Sequence, residues 1–118
     1  MAIKASVVVP VYNKAPYLTE CFESIFAQSF TEFEVIAVDD ASTDNSFEVL
    51  RSFNDPRLRI LSNPVNSGPG VTAQNAMDQA KGEYIIRVDA DDVLLLHRFK
   101  EQIAFMDAHP EIGISGTN

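Results

Sequence analysis

Ser6-Val7-Val8-Val9-Pro10-Val11 is a nearly unbroken β-branched run, and no other stretch restricts the fold so tightly. A strand that is apolar at successive positions has both faces buried, the usual situation inside a parallel sheet covered by helices. Parallel neighbours need a crossover of about a dozen residues or more between them, generally a helix. The next residues supply one. Pro10 has no N–H to give a ladder, so pairing fades there and the chain opens into a turn at Tyr12-Asn13-Lys14. Leu18, Cys21, Phe22, Ile25 and Phe26 then recur at the spacing of a core-facing helical stripe. That spacing predicts a helix over Ala15 to Gln28, with Asn13 as its cap and Pro16 in its first turn.

The same alternation continues. Glu34 to Val38 reads as a second strand and Ser46 to Phe53 as a helix that buries Phe47, Val49 and Leu50, with Ser42 or Asp44 as its cap. Asn54-Asp55-Pro56 marks a turn, and Leu58 to Leu61 a short strand. Asn63 to Gly70 is a loop. Val71 to Ala80 carries a stripe of Ala73, Ala76, Met77 and Ala80, and Gly82 stops that helix. Tyr84 to Val88 is a fourth strand. Leu96, Phe99, Ile103 and Met106 mark a last helix running to Ala108, and Ile112 to Ser115 opens a fifth strand. Strands alternating with helices define an α/β domain: an open, mostly parallel sheet with helices on both faces.

In such sheets ligands bind beyond the carboxyl ends of the strands. Unusual polar residues fall there in three places: Tyr12-Asn13, Asp39-Asp40, and Asp89-Ala90-Asp91-Asp92. Two unit charges about 4 Å apart repel by about 4 kcal/mol at an effective dielectric near 20. A divalent cation reverses the sign of that cost. Each group has a plainer reading: a solvated acidic turn for Asp89 to Asp92, a ring covering the sheet end for Tyr12, caps for Ser42 and Asp44. Gly68-Pro69-Gly70 could offer N–H groups to a phosphate, but it matches neither phosphate-loop fingerprint and reads better as a plain loop. Taken together, the three groups describe one crevice with an aromatic wall, a pair of acceptors and a cation site.

The net charge of -8 argues against nucleic acid or an anionic membrane surface as partner. Cys21 is the single cysteine, so an internal disulfide is excluded. It reads as core packing in a reducing compartment, and a cytoplasmic location is expected. No apolar run approaches the roughly 18 residues of a membrane span. His97 and His109 lack partners at metal-ligand spacing and read as surface residues.

Val7-Val8-Val9-Pro10-Val11-Tyr12-Asn13, the stretch from Phe33 to Asp44, and the stretch from Ala80 to Asp92 resemble the amino-terminal half of the family 2 glycosyltransferases. The resemblance covers essentially the whole chain. It implies the GT-A fold of nucleotide-diphospho-sugar transferases and transfer of a sugar from a nucleotide-diphosphate donor to a glycan, a lipid-linked acceptor or another hydroxyl. It implies that Pro10 and Tyr12 line the base pocket, and that Asp40, together with Asp39, accepts from the base. Asp89-Ala90-Asp91 matches the D-x-D motif. Asp91, with Asp92 beside it, is then the ligand of a Mg²⁺ or Mn²⁺ that bridges the diphosphate, and Asp89 meets the ribose or the metal shell. Displacement with inversion is implied, with a carboxylate base on the acceptor hydroxyl.

The family's base and acceptor region lie downstream of residue 118, so no residue here is assigned as base. The chain is expected to be an incomplete, donor-binding half, with any membrane association through parts not present. Ala41 stands where the family usually has Gly, Leu96 where Pro is common, and Gln74-Asn75 where Arg-Asn is frequent. Two other enzyme or binding classes fit less well. A nucleotidyltransferase wants a Gly-rich basic loop near the first strand. A phosphoacceptor domain wants its acidic pair after the first strand, not the second. A non-catalytic nucleotide-binding fragment is the third alternative.

Overall fold

The structure is a computed structural model that describes residues 3–109 and 114–116. Its strands are β1 (Ala5–Val11), β2 (Phe33–Asp39), β3 (Leu58–Ser62), β4 (Tyr84–Arg87) and β5 (Ile114–Gly116). Its helices are α1 (Ala15–Phe26), α2 (Ser46–Ser52), α3 (Pro69–Asp78) and α4 (Arg98–Ala108). The order across the sheet is β3-β2-β1-β4-β5, and every pairing is parallel. The β-branched run is therefore the central strand, with Val7 opposite Val35 on one side and Ile86 on the other.

Helices cover both faces, as the pattern predicts. Val7, Val9 and Val11 pack with α1, α2 and α4 through Leu18, Phe22, Ile25, Leu50, Phe99 and Ile103. Phe22 stacks on Phe53 at 5.0 Å between ring centres. Val8, Ile36 and Val38 point the other way and meet Ala76 of α3, whose small residues let the helix lie close to the sheet. Cys21 is buried in the first of these clusters, and His97 and His109 are exposed.

From β1 the chain steps outward to β2 and β3, then returns across the sheet to β4 on the other flank of β1. The tips of β1 and β4 are therefore a switch point, where the loops leave in opposite directions and a crevice opens. The crossovers differ in hand. β5 lies on the far side from β2, yet α4 shares the face of α1, so β4-α4-β5 has the hand opposite to β1-α1-β2. Right-handed crossovers are the rule. Here the start of α4 is anchored to the segment after α1 and to β2: the Phe99 N–H donates to Gln28 Oε1 at 2.9 Å, the Ser29 N–H donates to Leu96 O at 3.0 Å, and the Phe99 ring meets Phe33 edge-on.

At the opposite end of the sheet Glu34 ties three segments together. Its carboxylate accepts from Ser6 Oγ at 2.6 Å, the Lys81 N–H at 2.7 Å and Arg59 Nη2 at 3.0 Å. Burial alone raises its pKa, but these donors outweigh that and hold it below the ordinary glutamate value. Gly82 donates its N–H to Ser6 Oγ and sits so close that an added Cβ lies 2.5 Å from the Ala5 carbonyl carbon.

Some expectations shift. α3 begins at Pro69 rather than Val71, because the fixed φ of proline suits the first helical position. Leu96 precedes α4 and is 55% exposed; Leu94 takes the buried place instead. Phe47 is half-buried, while Ser46 and Leu50 are buried. Ile112 lies outside the described residues.

Candidate functional site

The loops at the carboxyl ends of β1, β2, β3 and β4 surround a cavity of about 500 Å³. Pro10 comes from the end of β1, Tyr12 and Lys14 from the loop after it, and Asp40 from the tip of β2. Gly68 and Thr72 come from the start of α3, and Arg87, Asp89 and Asp91 from β4 and the turn beyond it. Five of the residues expected at a site thus share one cavity: Pro10, Tyr12, Asp40, Asp89 and Asp91. Asp39 and Asp92 are not among its lining residues.

Strand geometry separates Asp39 from Asp40. Side chains alternate along a strand, so the pair that adjoins in sequence diverges in space. Asp39 stays with the α1 and α2 side, where its Oδ2 accepts the Ser42 N–H at 3.2 Å and its buried Oδ1 finds no hydrogen-bond partner among the described residues. Asp40 turns to the α3 side and is 2% exposed. Its Oδ1 accepts from Asn63 Nδ2 at 2.9 Å and the Ser67 N–H at 2.7 Å, and its Oδ2 from the Gly68 N–H at 2.9 Å. Burial pushes this carboxyl up, but the donors from Asn63, Ser67, Gly68 and Thr72 more than offset it, and the pKa lies below the ordinary value. Asn63 is itself buried and held by Asn75 and Thr72. The Gly-rich loop therefore wraps a carboxylate of this chain.

Beyond β4 the acids crowd together. A turn closed by the Asp92 N–H on Asp89 O at 3.0 Å brings the three carboxylates near one another. Asp92 is raised above the ordinary aspartate value, first by burial and then by Asp89 and Asp91. The Cys21 thiol, whose Sγ meets Asp89 O at 3.5 Å, is pushed up to about 12 by burial and by the same acids. It is no nucleophile there. Lys14 Nζ lies 3.5 Å from Asp91 Oδ2, a cation already drawn to that carboxylate. Among the described residues no group of three or more acidic, His or Cys side chains is placed to hold a metal ion on its own. Mg²⁺ needs fewer protein ligands, one or two carboxylates, with water and phosphate oxygens filling the rest of its shell. Asp89 and Asp91, the two cavity acids of the turn after β4, are the residues that would hold such an ion.

The turn after β1 is organised by its neighbour. α1 has no side-chain cap of its own, and Asn13 does not cap it. The amide of Asn13 instead accepts from the Thr43 and Asp44 N–H groups, while the Lys14 and Ala15 N–H groups donate to Ser46 Oγ and Asp44 Oδ2. Neither Ser42 nor Asp44 is the N-cap of α2: Asn45 holds that position without a side-chain cap, Asp44 Oδ1 accepts the Ser46 N–H from one residue further out, and Ser42 accepts from Asn13. Burial raises the Asp44 carboxyl, but Ser46 and the Ala15 N–H hold it below its usual range. Asn13 and Ala41 both have positive φ, +50° and +56°.

Lys14, Asn66, Thr72 and Arg87 line the cavity without having been singled out in the sequence. Arg87 carried a usable signal. A charged side chain within a buried parallel strand needs a polar space to point into, and alternation sets Arg87 opposite in sense to the core residues Ile86 and Val88.

Fold and crevice together define a doubly wound α/β protein with an acid-lined crevice at the switch point, the place where such sheets bind ligands. The chain belongs to glycosyl transferase family 2, whose family model matches residues 6–118. It is 40% identical over 111 residues to the poly(ribitol-phosphate) beta-N-acetylglucosaminyltransferase TarS of Staphylococcus aureus, a match covering 91% of this chain and 19% of that protein. The crystal structure of TarS 1-349 in complex with UDP-GlcNAc superposes with a TM-score of 0.84 at 39% identity, over 92% of this chain and 32% of that one. The mannosyltransferase PcManGT of Pyrobaculum calidifontis, in complex with GDP-Man and Mn²⁺, gives 0.72 at 29% identity, over 79% and 29% of the two chains. The chain thus spans well under half the length of these relatives. Among the described residues no helix is long and apolar enough to cross a membrane.

Proposed function

We propose that this chain is the donor- and metal-binding portion of an inverting glycosyltransferase, which moves a sugar from a nucleotide diphosphate to a hydroxyl of a glycan or lipid-linked acceptor. The observation that carries the reading is the convergence of Pro10, Tyr12, Asp40, Asp89 and Asp91 on one cavity at the switch point. Tyr12, 43% exposed, offers a ring face for the base, beside Pro10. Asp40 is the acidic acceptor on the cavity wall beside Pro10 and Tyr12, its Oδ1 taken by Asn63 and Ser67, and its Oδ2, which accepts from Gly68, is the oxygen offered to a base N–H. Asp91 would hold the ion, Asp89 would meet the ribose or the ion, and Asp92 would stand beside them.

When bound, Mg²⁺ or Mn²⁺ supplies Lewis-acid stabilisation of the departing diphosphate. Lys14, beside Asp91, adds a positive charge at the same mouth. The base that takes the acceptor proton is assigned to no residue of this chain. UDP-sugars are the donors to test first, since TarS was crystallised with UDP-GlcNAc.

Calorimetric titration with UDP, GDP and dTDP and their sugars, each with and without Mn²⁺, tests the reading. The expected result is metal-dependent binding of one nucleotide diphosphate that Asp91→Ala abolishes. Tighter binding of a nucleoside triphosphate than of any diphosphate sugar, or binding indifferent to both metal and Asp91, overturns it.

A further inference from the structure

We infer that Asn13 is a positioning residue that sets Tyr12 and Lys14 over the donor cavity by clasping the β2–α2 loop, an inference that rests on the donor-site reading above. Asn13 is exposed and is not among the cavity-lining residues, whereas the residues on either side of it are. Tyr12 is 43% exposed and belongs to neither core cluster, so the backbone at 12 and 13 has a large part in setting the direction of its ring.

That backbone is held from both sides. Asn13 Oδ1 accepts from the Thr43 N–H at 2.8 Å, Thr43 Oγ1 at 3.3 Å and the Asp44 N–H at 3.2 Å. Its own N–H donates to Ser42 Oγ at 3.0 Å. The β2–α2 loop reaches back in return: Ser46 Oγ accepts from the Lys14 N–H at 3.0 Å, and Asp44 Oδ2 from the Ala15 N–H at 3.2 Å. Each loop satisfies backbone donors that the other leaves open.

Asn13 also sits at φ +50°, a region that asparagine tolerates and glycine prefers. Two explanations of its presence therefore separate cleanly. Were the residue needed for its backbone angle alone, glycine would serve as well. If the amide acts through Tyr12, glycine fails and aspartate, which keeps an accepting oxygen, largely succeeds.

The experiment is a calorimetric UDP titration in Mn²⁺ on the wild type, Asn13→Gly, Asn13→Asp, Tyr12→Ala and the double variant Asn13→Gly/Tyr12→Ala. Asn13→Gly is expected to weaken binding about tenfold, and Asn13→Asp by no more than about threefold. Tyr12→Ala is expected to weaken binding in the wild-type background and to add less than about twofold in the Asn13→Gly background, the coupling that marks action of one residue through another. Ser42→Ala removes the acceptor of the Asn13 N–H from the far side; it is expected to weaken binding in the same direction and replaces Asn13→Gly should that variant not fold. Wild-type affinity in Asn13→Gly, equal losses from Tyr12→Ala in both backgrounds, or no loss from Tyr12→Ala at all overturns the inference and leaves the donor site standing. A wild-type protein that takes up no nucleotide overturns the donor-site reading, and this inference with it.

Discussion

Asp40→Asn separates the part Asp40 plays in building the cavity wall from any contact it makes with a ligand. The carboxylate is buried and accepts from Asn63 Nδ2 and the Ser67 N–H through one oxygen and from the Gly68 N–H through the other. Asparagine can keep the oxygen that serves Asn63 and Ser67, but its NH₂ then faces the Gly68 N–H, donor against donor. A hydrogen bond to a charged group contributes about 1.5–3 kcal/mol, and a stranded buried donor costs about 1–3 kcal/mol. Partial relaxation of the loop brings the expected loss to about 3 kcal/mol, or a melting point lower by roughly 10 °C in a domain of this size. Folding survives, because such domains begin with about 5–15 kcal/mol.

The readouts are thermal unfolding by circular dichroism without ligand, and amide hydrogen exchange at Ser67 and Gly68. Exchange at both amides is expected to accelerate well beyond that of the strand amides of β1. A pH series gives the sign independently. The Asp40 carboxyl is held below its unfolded value, so its contribution is full above that value, about pH 4, and disappears as pH falls through the folded value. The gap between wild type and Asp40→Asn should therefore be constant near neutrality and close below about pH 4. A variant that melts with the wild type, with Ser67 and Gly68 exchanging at unchanged rates, refutes the reasoning.

Gly82→Ala places a Cβ 2.5 Å from the Ala5 carbonyl carbon and 2.6 Å from the Ser6 nitrogen, both backbone atoms of the central strand. It is expected to cost about 3 kcal/mol or more, read as a fall in the urea midpoint, and an unchanged midpoint contradicts it. Ala41→Gly relieves a side chain held at φ +56°. The left-handed region costs an L-residue about 1–2 kcal/mol, and glycine's looser unfolded state takes back about 0.4–1 kcal/mol, so a net gain near 0.5 kcal/mol is expected and a loss of stability argues against it. Asp91→Ala is expected to abolish metal-dependent nucleotide binding while leaving the melting point within a few degrees, since among the described residues the ion pair its carboxylate makes is with the half-exposed Lys14.

The architecture was legible because its signals are local and periodic. Val7 to Val11 could only be a strand covered on both faces, and Leu18, Cys21, Phe22 and Ile25 could only be one helical stripe. The gathering of Tyr12, Asp40, Asp89 and Asp91 followed from the rule that parallel strands deliver their tips to one edge. What stayed hidden depends on partners distant in the chain. Asn13 looks like a helix cap in sequence, but its acceptor is taken by Thr43 and Asp44 about thirty positions later. Asp39 and Asp40 look like one pair, and only the end of the β2 pleat parts them. Leu96 fits the stripe of α4 by spacing, yet the helix begins after it, and Leu94 reaches the core from the preceding turn.

The clasp between Asn13 and the 42–46 segment, together with the grip of Asp40 on Ser67 and Gly68, makes three walls of the cavity share one frame. Surface loops ordinarily absorb insertions at little cost. Here an extra residue between Asp40 and Ser46 displaces acceptors on which the segments on both sides of it depend, so the whole vestibule shifts at once. If the cavity takes a nucleotide-sugar donor as proposed, altering its choice is therefore a matter of exchanging side chains that hang from rigid strands, Arg87 first among them, with loop lengths left alone.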